Sequence, residues 1–131
     1  MTLELVAPFL QEKLQKAPFE ITQLFPVQIE CLKYFRNGAA DGKTDFDLLV
    51  SAATGSGKTL AFALPIVSSL IDRIVCRVRA VVVLPTRDLA LQVKRTFDDL
   101  CVGEKLKVGL AVGASSFAVE QSNLMIDHFA G

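Results

Sequence analysis

The stretch "LVSAATGSGKTLAF", Leu49 to Phe62, decides how the rest of the chain is read. Its centre, Ala52 to Thr59, spells A-A-T-G-S-G-K-T. Gly55 and Gly57 have no Cβ, so the backbone there can take positive φ and come close to an anion. The N–H groups from about Thr54 to Thr59 can then point inward as a nest. A helix opening at Lys58 adds the partial positive charge of its N-terminus. Lys58 supplies an ammonium for β- and γ-phosphates, and the Thr59 hydroxyl can ligate Mg²⁺. The alternative is a plain strand-to-helix turn with a solvated lysine, which leaves G-S-G-K-T hard to explain. The general phosphate-loop pattern places glycine six residues before the lysine, and here that residue is Ala52.

Outward from the loop, the pattern alternates. "FDLLVSA" (46–52) is a short apolar run, the mark of a buried parallel strand. A helix follows from Lys58 to about Ile74, and Pro65 inside it predicts a kink near Ala61. "RAVVVLP" (79–85) predicts a second strand. The helix after it has Thr86 as N-cap and Asp88 near its positive end. Phe97, Leu100 and Cys101 fall on its core face, with Lys94, Arg95, Asp98 and Asp99 on the solvated side. "KLKVGLAVG" (105–113) predicts a third strand, and a last amphipathic helix runs from about Ser116 to Phe129. Upstream, Leu3, Val6, Leu10 and Leu14 recur at helical spacing. A second helix starts at Pro26, carries Ile29, Leu32 and Phe35, and ends near Asn37-Gly38. Strand–helix alternation predicts an α/β fold with an open parallel sheet and right-handed crossovers. Ligands of such sheets bind beyond the carboxyl ends of the strands, here after Ala52, Leu84 and Val112.

Composition sets outer bounds. A length of 131 residues, 51% hydrophobic and 21% charged, fits one globular domain. Fourteen basic residues balance fourteen acidic ones, so nucleic-acid binding would need a local patch. Cys31, Cys76 and Cys101 form no C-x-x-C and read as buried reduced thiols of an intracellular protein. Three scattered cysteines and His128 give no metal-ligand spacing, and His128 reads as a surface residue. No signal peptide is evident, and the apolar run "TLAFALPIV" is too short to cross a bilayer.

A-A-T-G-S-G-K-T resembles the ATP-binding motif of DEAD-box RNA helicases, in which alanine replaces the first glycine. "TLAFALPIV" is similar to the family's T-x-A-F-x-x-P-I, "PTRDLALQ" (85–92) to its P-T-R-E-L-A-x-Q, and "LFPVQ" (24–28) to its Q motif. "VGASS" (112–116) sits where the family has a glycine-rich RNA-contacting turn. The resemblance covers nearly the whole chain in the family's order. It implies a three-layer RecA-like P-loop domain with a parallel sheet, truncated before the D-E-A-D motif. Residues 1–131 would be part of the N-terminal RecA-like domain, with 1–45 as its Q-motif helical region. Lys58 would be catalytic. Gln28, Ala53, Thr54, Gly55, Ser56, Gly57, Lys58 and Thr59 would bind ATP, with Mg²⁺ reached through Thr59. Gln28 would read the adenine edge, since a carboxamide offers both a donor and an acceptor; a surface glutamine is the alternative. Pro85, Thr86, Arg87 and Gly113 would grip RNA without reading its sequence. Gly113 equally fits a simple strand-ending turn.

Two departures stand out. Phe25 occupies the place usually held by Thr or Ser three before the glutamine, and Ile21 that of the aromatic seven before it. The stretch "LFPVQ" also resembles a variant among helicases of ribosome assembly; the expected location is intracellular, with nucleus, nucleolus and cytoplasm all open. No D-E-A-D occurs in the 131 residues, so this polypeptide alone is expected to bind nucleotide without turning it over. A missing second RecA-like domain, contact with RNA and self-association through exposed sheet edges complete the expected partners; no membrane is among them. A non-catalytic nucleotide-binding module acting through a partner is the competing reading. Another phosphate-loop enzyme is disfavoured by P-T-R-D-L-A and by Ala52.

Overall fold

The computed structural model describes residues 3–40, 47–75 and 77–126. Their regular elements are a 3₁₀ turn (Leu3–Leu5) and helices α1 (Pro8–Gln15), α2 (Pro26–Ala40), α3 (Lys58–Leu70), α4 (Arg87–Cys101) and α5 (Phe117–Ile126). No strand occurs among the described residues, which overturns the expected three-layer RecA-like α/β fold with a parallel sheet. Residues 47–52, 79–85 and 105–113, where strands were expected, carry no ladder. The reason is that an apolar run belongs to one segment, whereas a strand exists only where a neighbour accepts and donates its backbone hydrogen bonds. A parallel strand also needs cover on both faces. Here Leu49 is 96% exposed, Val81 77% and Val83 87%.

The chain divides into two units, Met1–Ser69 and Leu70–Gly131. In the first, Leu3, Val6, Leu10 and Leu14 are all buried, as their spacing predicts. They span two elements, because Pro8 has no N–H and serves as the first residue of α1. The Gln11 carboxamide donates to the Val6 carbonyl at 2.7 Å, tying that corner. α2 opens at Pro26 as expected, but its buried side is Gln28, Cys31 and Leu32; Phe35 is exposed. α3 buries Ala61, Ala63, Leu64, Pro65 and Val67 and stops at Leu70, short of Ile74. Pro65 leaves the Ala61 carbonyl without its ordinary helical donor. Leu10, Leu14 and Leu64 are fully buried, and each such side chain contributes roughly 1.5–3 kcal/mol.

The second unit is organised by α4. Thr86 caps it, its Oγ1 accepting from the Leu89 N–H at 3.3 Å, and Asp88 lies in the first turn. Val93, Phe97, Leu100 and Cys101 are buried at helical spacing, while Lys94 and Asp98 pair at 2.5 Å one turn apart. Further on, the Leu124 side chain fills the space a Cβ on Gly109 would need. Asp127, His128 and Phe129, expected in the last helix, lie outside the described residues, as do the Met125 side chain and Cys76. Cys31 and Cys101 are buried and take part in no disulfide. No helix among the described residues is long and apolar enough to cross a membrane.

Candidate functional site

In the first unit, Gly55 and Gly57 have φ of +81° and +78°, the left-handed conformations that glycine takes without strain. Lys58 is the first residue of α3, so the loop delivers the chain straight into a helix N-terminus. The Ser56 N–H donates to the Ala53 carbonyl at 3.2 Å, closing the turn. Lys58 folds back over the loop, its Nζ donating to the carbonyls of Ala52 at 2.5 Å and Ala53 at 2.7 Å. The Ser56 hydroxyl is buried with no hydrogen-bond partner. An ammonium, a spare hydroxyl and a helix N-terminus around two positive-φ glycines form the donor set of a phosphate seat. A phosphate would draw Lys58 off its two carbonyls, because a bond between two ions is stronger than one to a neutral oxygen. Thr59, next in α3, offers the hard oxygen that Mg²⁺ prefers. No group of three or more His, Cys, Asp or Glu side chains that could hold a metal ion occurs among the described residues.

Gln28 joins this loop to α2. It is 2% exposed, so it is not a surface glutamine. Its Oε1 accepts from the Phe25 N–H at 2.8 Å, and its Nε2 donates to the Gly57 carbonyl at 3.1 Å. The first bond is half of a capping box: Gln28, third residue of α2, reaches back to the N–H of the residue before the helix. The second fixes the carboxamide's orientation, since a carbonyl can only accept. A Cβ on Gly57 would fall on the Gln28 carboxamide and 3.0 Å from Cδ2 of Phe25. The oxygen keeps one lone pair and the nitrogen one hydrogen beyond these bonds.

In the second unit, Arg87 and Gly113 come together. Arg87 Nη2 donates to the Gly113 carbonyl at 3.2 Å, and Gly113 has φ +65°. The Ala114 N–H next to it donates to Glu120 Oε1 at 3.0 Å. Pro85, Thr86 and Arg87 are exposed at the start of α4. A guanidinium with further donors, a helix N-terminus and an uncovered glycine turn form a surface suited to phosphate oxygens. Glu120 is the opposing charge on that surface.

Sequence spacing alone did not reveal three contacts. The Ala52 and Ala53 carbonyls hold Lys58, Gly57 answers Gln28, and Phe25 leans on the loop. A fourth contact, from the Phe25 N–H to Gln28, did have a local signal: glutamine third in a helix that opens with proline. The other contacts join side chains to loop backbone.

The family model described as DEAD/DEAH box helicase matches residues 25–129. DEAD-box ATP-dependent RNA helicase 1 of Arabidopsis thaliana is 49% identical over 120 residues, which is 90% of this chain and 22% of that protein. ATP-dependent RNA helicase DDX51 of Homo sapiens is 42% identical over 127 residues, 92% of this chain and 19% of that protein. Probable ATP-dependent RNA helicase Dbp73D of Drosophila melanogaster is 44% identical over 108 residues, 81% of this chain and 16% of that protein. The chain thus spans about a fifth of the length of these relatives.

Proposed function

This chain belongs to the DEAD/DEAH box helicase family, and from that premise we propose that it is the nucleotide-holding part of an ATP-dependent RNA helicase. The observation that carries this reading is the loop from Ala53 to Thr59. Its two positive-φ glycines feed a helix that starts at Lys58, and the lysine is turned inward. Lys58 would hold the β- and γ-phosphates, the Thr59 hydroxyl would share Mg²⁺ with them, and Ser56 would use its spare hydroxyl there. When bound, Mg²⁺ would neutralise phosphate charge.

Gln28 would read adenine with the donor and acceptor of its carboxamide, once released from Phe25 and Gly57. It is buried now, so reading a base needs the carboxamide to turn outward. Arg87, Thr86, Pro85 and the Gly113 turn would grip RNA through its phosphates, tolerating any sequence. Cleavage would depend on groups these 131 residues do not supply, including acidic Mg²⁺ ligands of the D-E-A-D type.

Calorimetry of ATP binding tests the reading. Lys58→Ala is expected to weaken ATP at least tenfold, as loss of a charge-assisted contact of about 1.5–3 kcal/mol implies. Unchanged affinity would remove the phosphate-loop assignment.

A further inference from the structure

Fourteen acidic residues balance fourteen basic ones in this chain, yet three arginines gather in one place. Arg73, Arg77 and Arg79 follow α3 within seven residues, and Asp72 is the only acid between Leu70 and Arg87. Two hydrogen bonds shape the segment. The Arg73 N–H donates to the Leu70 carbonyl at 3.0 Å, and Arg79 Nη2 donates to the Val75 carbonyl at 3.3 Å. Arg73 and Arg77 are exposed, and among the described residues none of the three arginines is paired with a carboxylate. The Arg79 Nε is buried without a hydrogen-bond partner. Burial, then the charges of Arg77 and Arg73, push the Arg79 guanidinium down from its ordinary range. The three cations therefore lie within electrostatic reach of one another, and an anion seated on them would relieve their repulsion.

The side chains interleaved with these arginines are aliphatic and face water. Ile74 is 93% exposed, Val75 64% and Val78 73%. Residues 70–87 hold no aromatic ring on which a base could stack, and phosphates gain nothing from aliphatic groups. Cations alternating with exposed aliphatic side chains match a protein segment that carries carboxylates and apolar side chains together. We propose that Arg73, Ile74, Val75, Arg77 and Val78 form a docking surface for an acidic peptide segment. Its carboxylates pair with Arg73 and Arg77, and its apolar side chains cover the three aliphatic ones. Arg79 holds the Val75 carbonyl and adds its charge. None of these residues belongs to the phosphate loop or to the Arg87–Gly113 surface, so the docking stands apart from the nucleotide reading.

Fluorescence anisotropy on the 131-residue chain tests this with two labelled probes, a synthetic peptide alternating glutamate with leucine and an oligo-uridine RNA. The peptide is expected to bind, and more weakly as salt rises. Arg73→Glu with Arg77→Glu is expected to weaken it at least tenfold, as lost charge pairing implies. Val75→Ser with Val78→Ser is expected to weaken the peptide about tenfold and leave oligo-uridine unchanged, with helical circular dichroism intact in both variants. A wild-type chain that leaves the peptide free overturns the proposal, as does peptide binding indifferent to either double substitution. A control peptide with serine in place of leucine that binds equally well also overturns it, by reducing the surface to bare charge. Oligo-uridine weakened by the serine pair as much as the peptide would assign the surface to nucleic acid instead.

Discussion

Gly55 and Gly57 share a backbone conformation and differ in their surroundings. A Cβ on Gly55 meets nothing within 4 Å, while one on Gly57 strikes Gln28 and Phe25. Gly55→Ala should therefore cost only the left-handed strain, roughly 1–2 kcal/mol. Gly57→Ala should cost that plus the Gln28 bond, about 1 kcal/mol more. Urea midpoints check this, and equal midpoints would mean the Gln28–Gly57 contact holds nothing. Cys31 gives a pH prediction. Burial, then the neighbouring Glu30 carboxylate, pushes its thiol up from the ordinary 9.0. The folded state thus favours the neutral thiol more than the unfolded chain does. That stabilisation is fully present below about pH 9 and is lost as pH rises through the raised folded value. Cys31→Ala should flatten the fall in unfolding free energy above about pH 9. A fall as steep as wild type would assign the pH dependence to other groups.

Among the elements, helices with strong local signals form where their residues imply. α4 begins after Thr86 and ends at Cys101 with its expected core face, because a cap and an amphipathic stripe are both written in neighbouring residues. Thr86→Ala should destabilise by about 1 kcal/mol (0.5–2) and Thr86→Ser much less, as read from thermal unfolding. Equal stability of all three would show that the 3.3 Å cap bond contributes little. The half-buried Lys94–Asp98 pair, one helical turn apart, is worth only ~0.3–0.5 kcal/mol, so Asp98→Asn is a near-silent control. α2 follows its residue spacing less closely. Phe35 fits the three-residue spacing but stays exposed, and Gln28, a polar residue, takes a buried place because two backbone groups satisfy it.

For the whole molecule, exposed Leu49, Val81 and Val83 make self-association the expected behaviour at high concentration. Val81→Lys with Val83→Lys should lower the sedimentation-derived mass toward that of a monomer; no change would place the contact elsewhere. Sequence by itself determined the glycine turn that leads into α3 at Lys58, the cap of α4, the proline start of α2, and the family. Each of these is carried by residues close together in the chain, where backbone freedom, capping chemistry and motif spacing act directly. Tertiary structure decided what depends on distant partners. It set the absence of a strand ladder among the described residues, the burial of Gln28 against Gly57, the pairing of Arg87 with Gly113 and the place of the Phe25 ring. An apolar run states that a segment favours burial. Whether another segment comes to cover it or to pair with its backbone is a non-local event, with a chain-closure cost that no single stretch records.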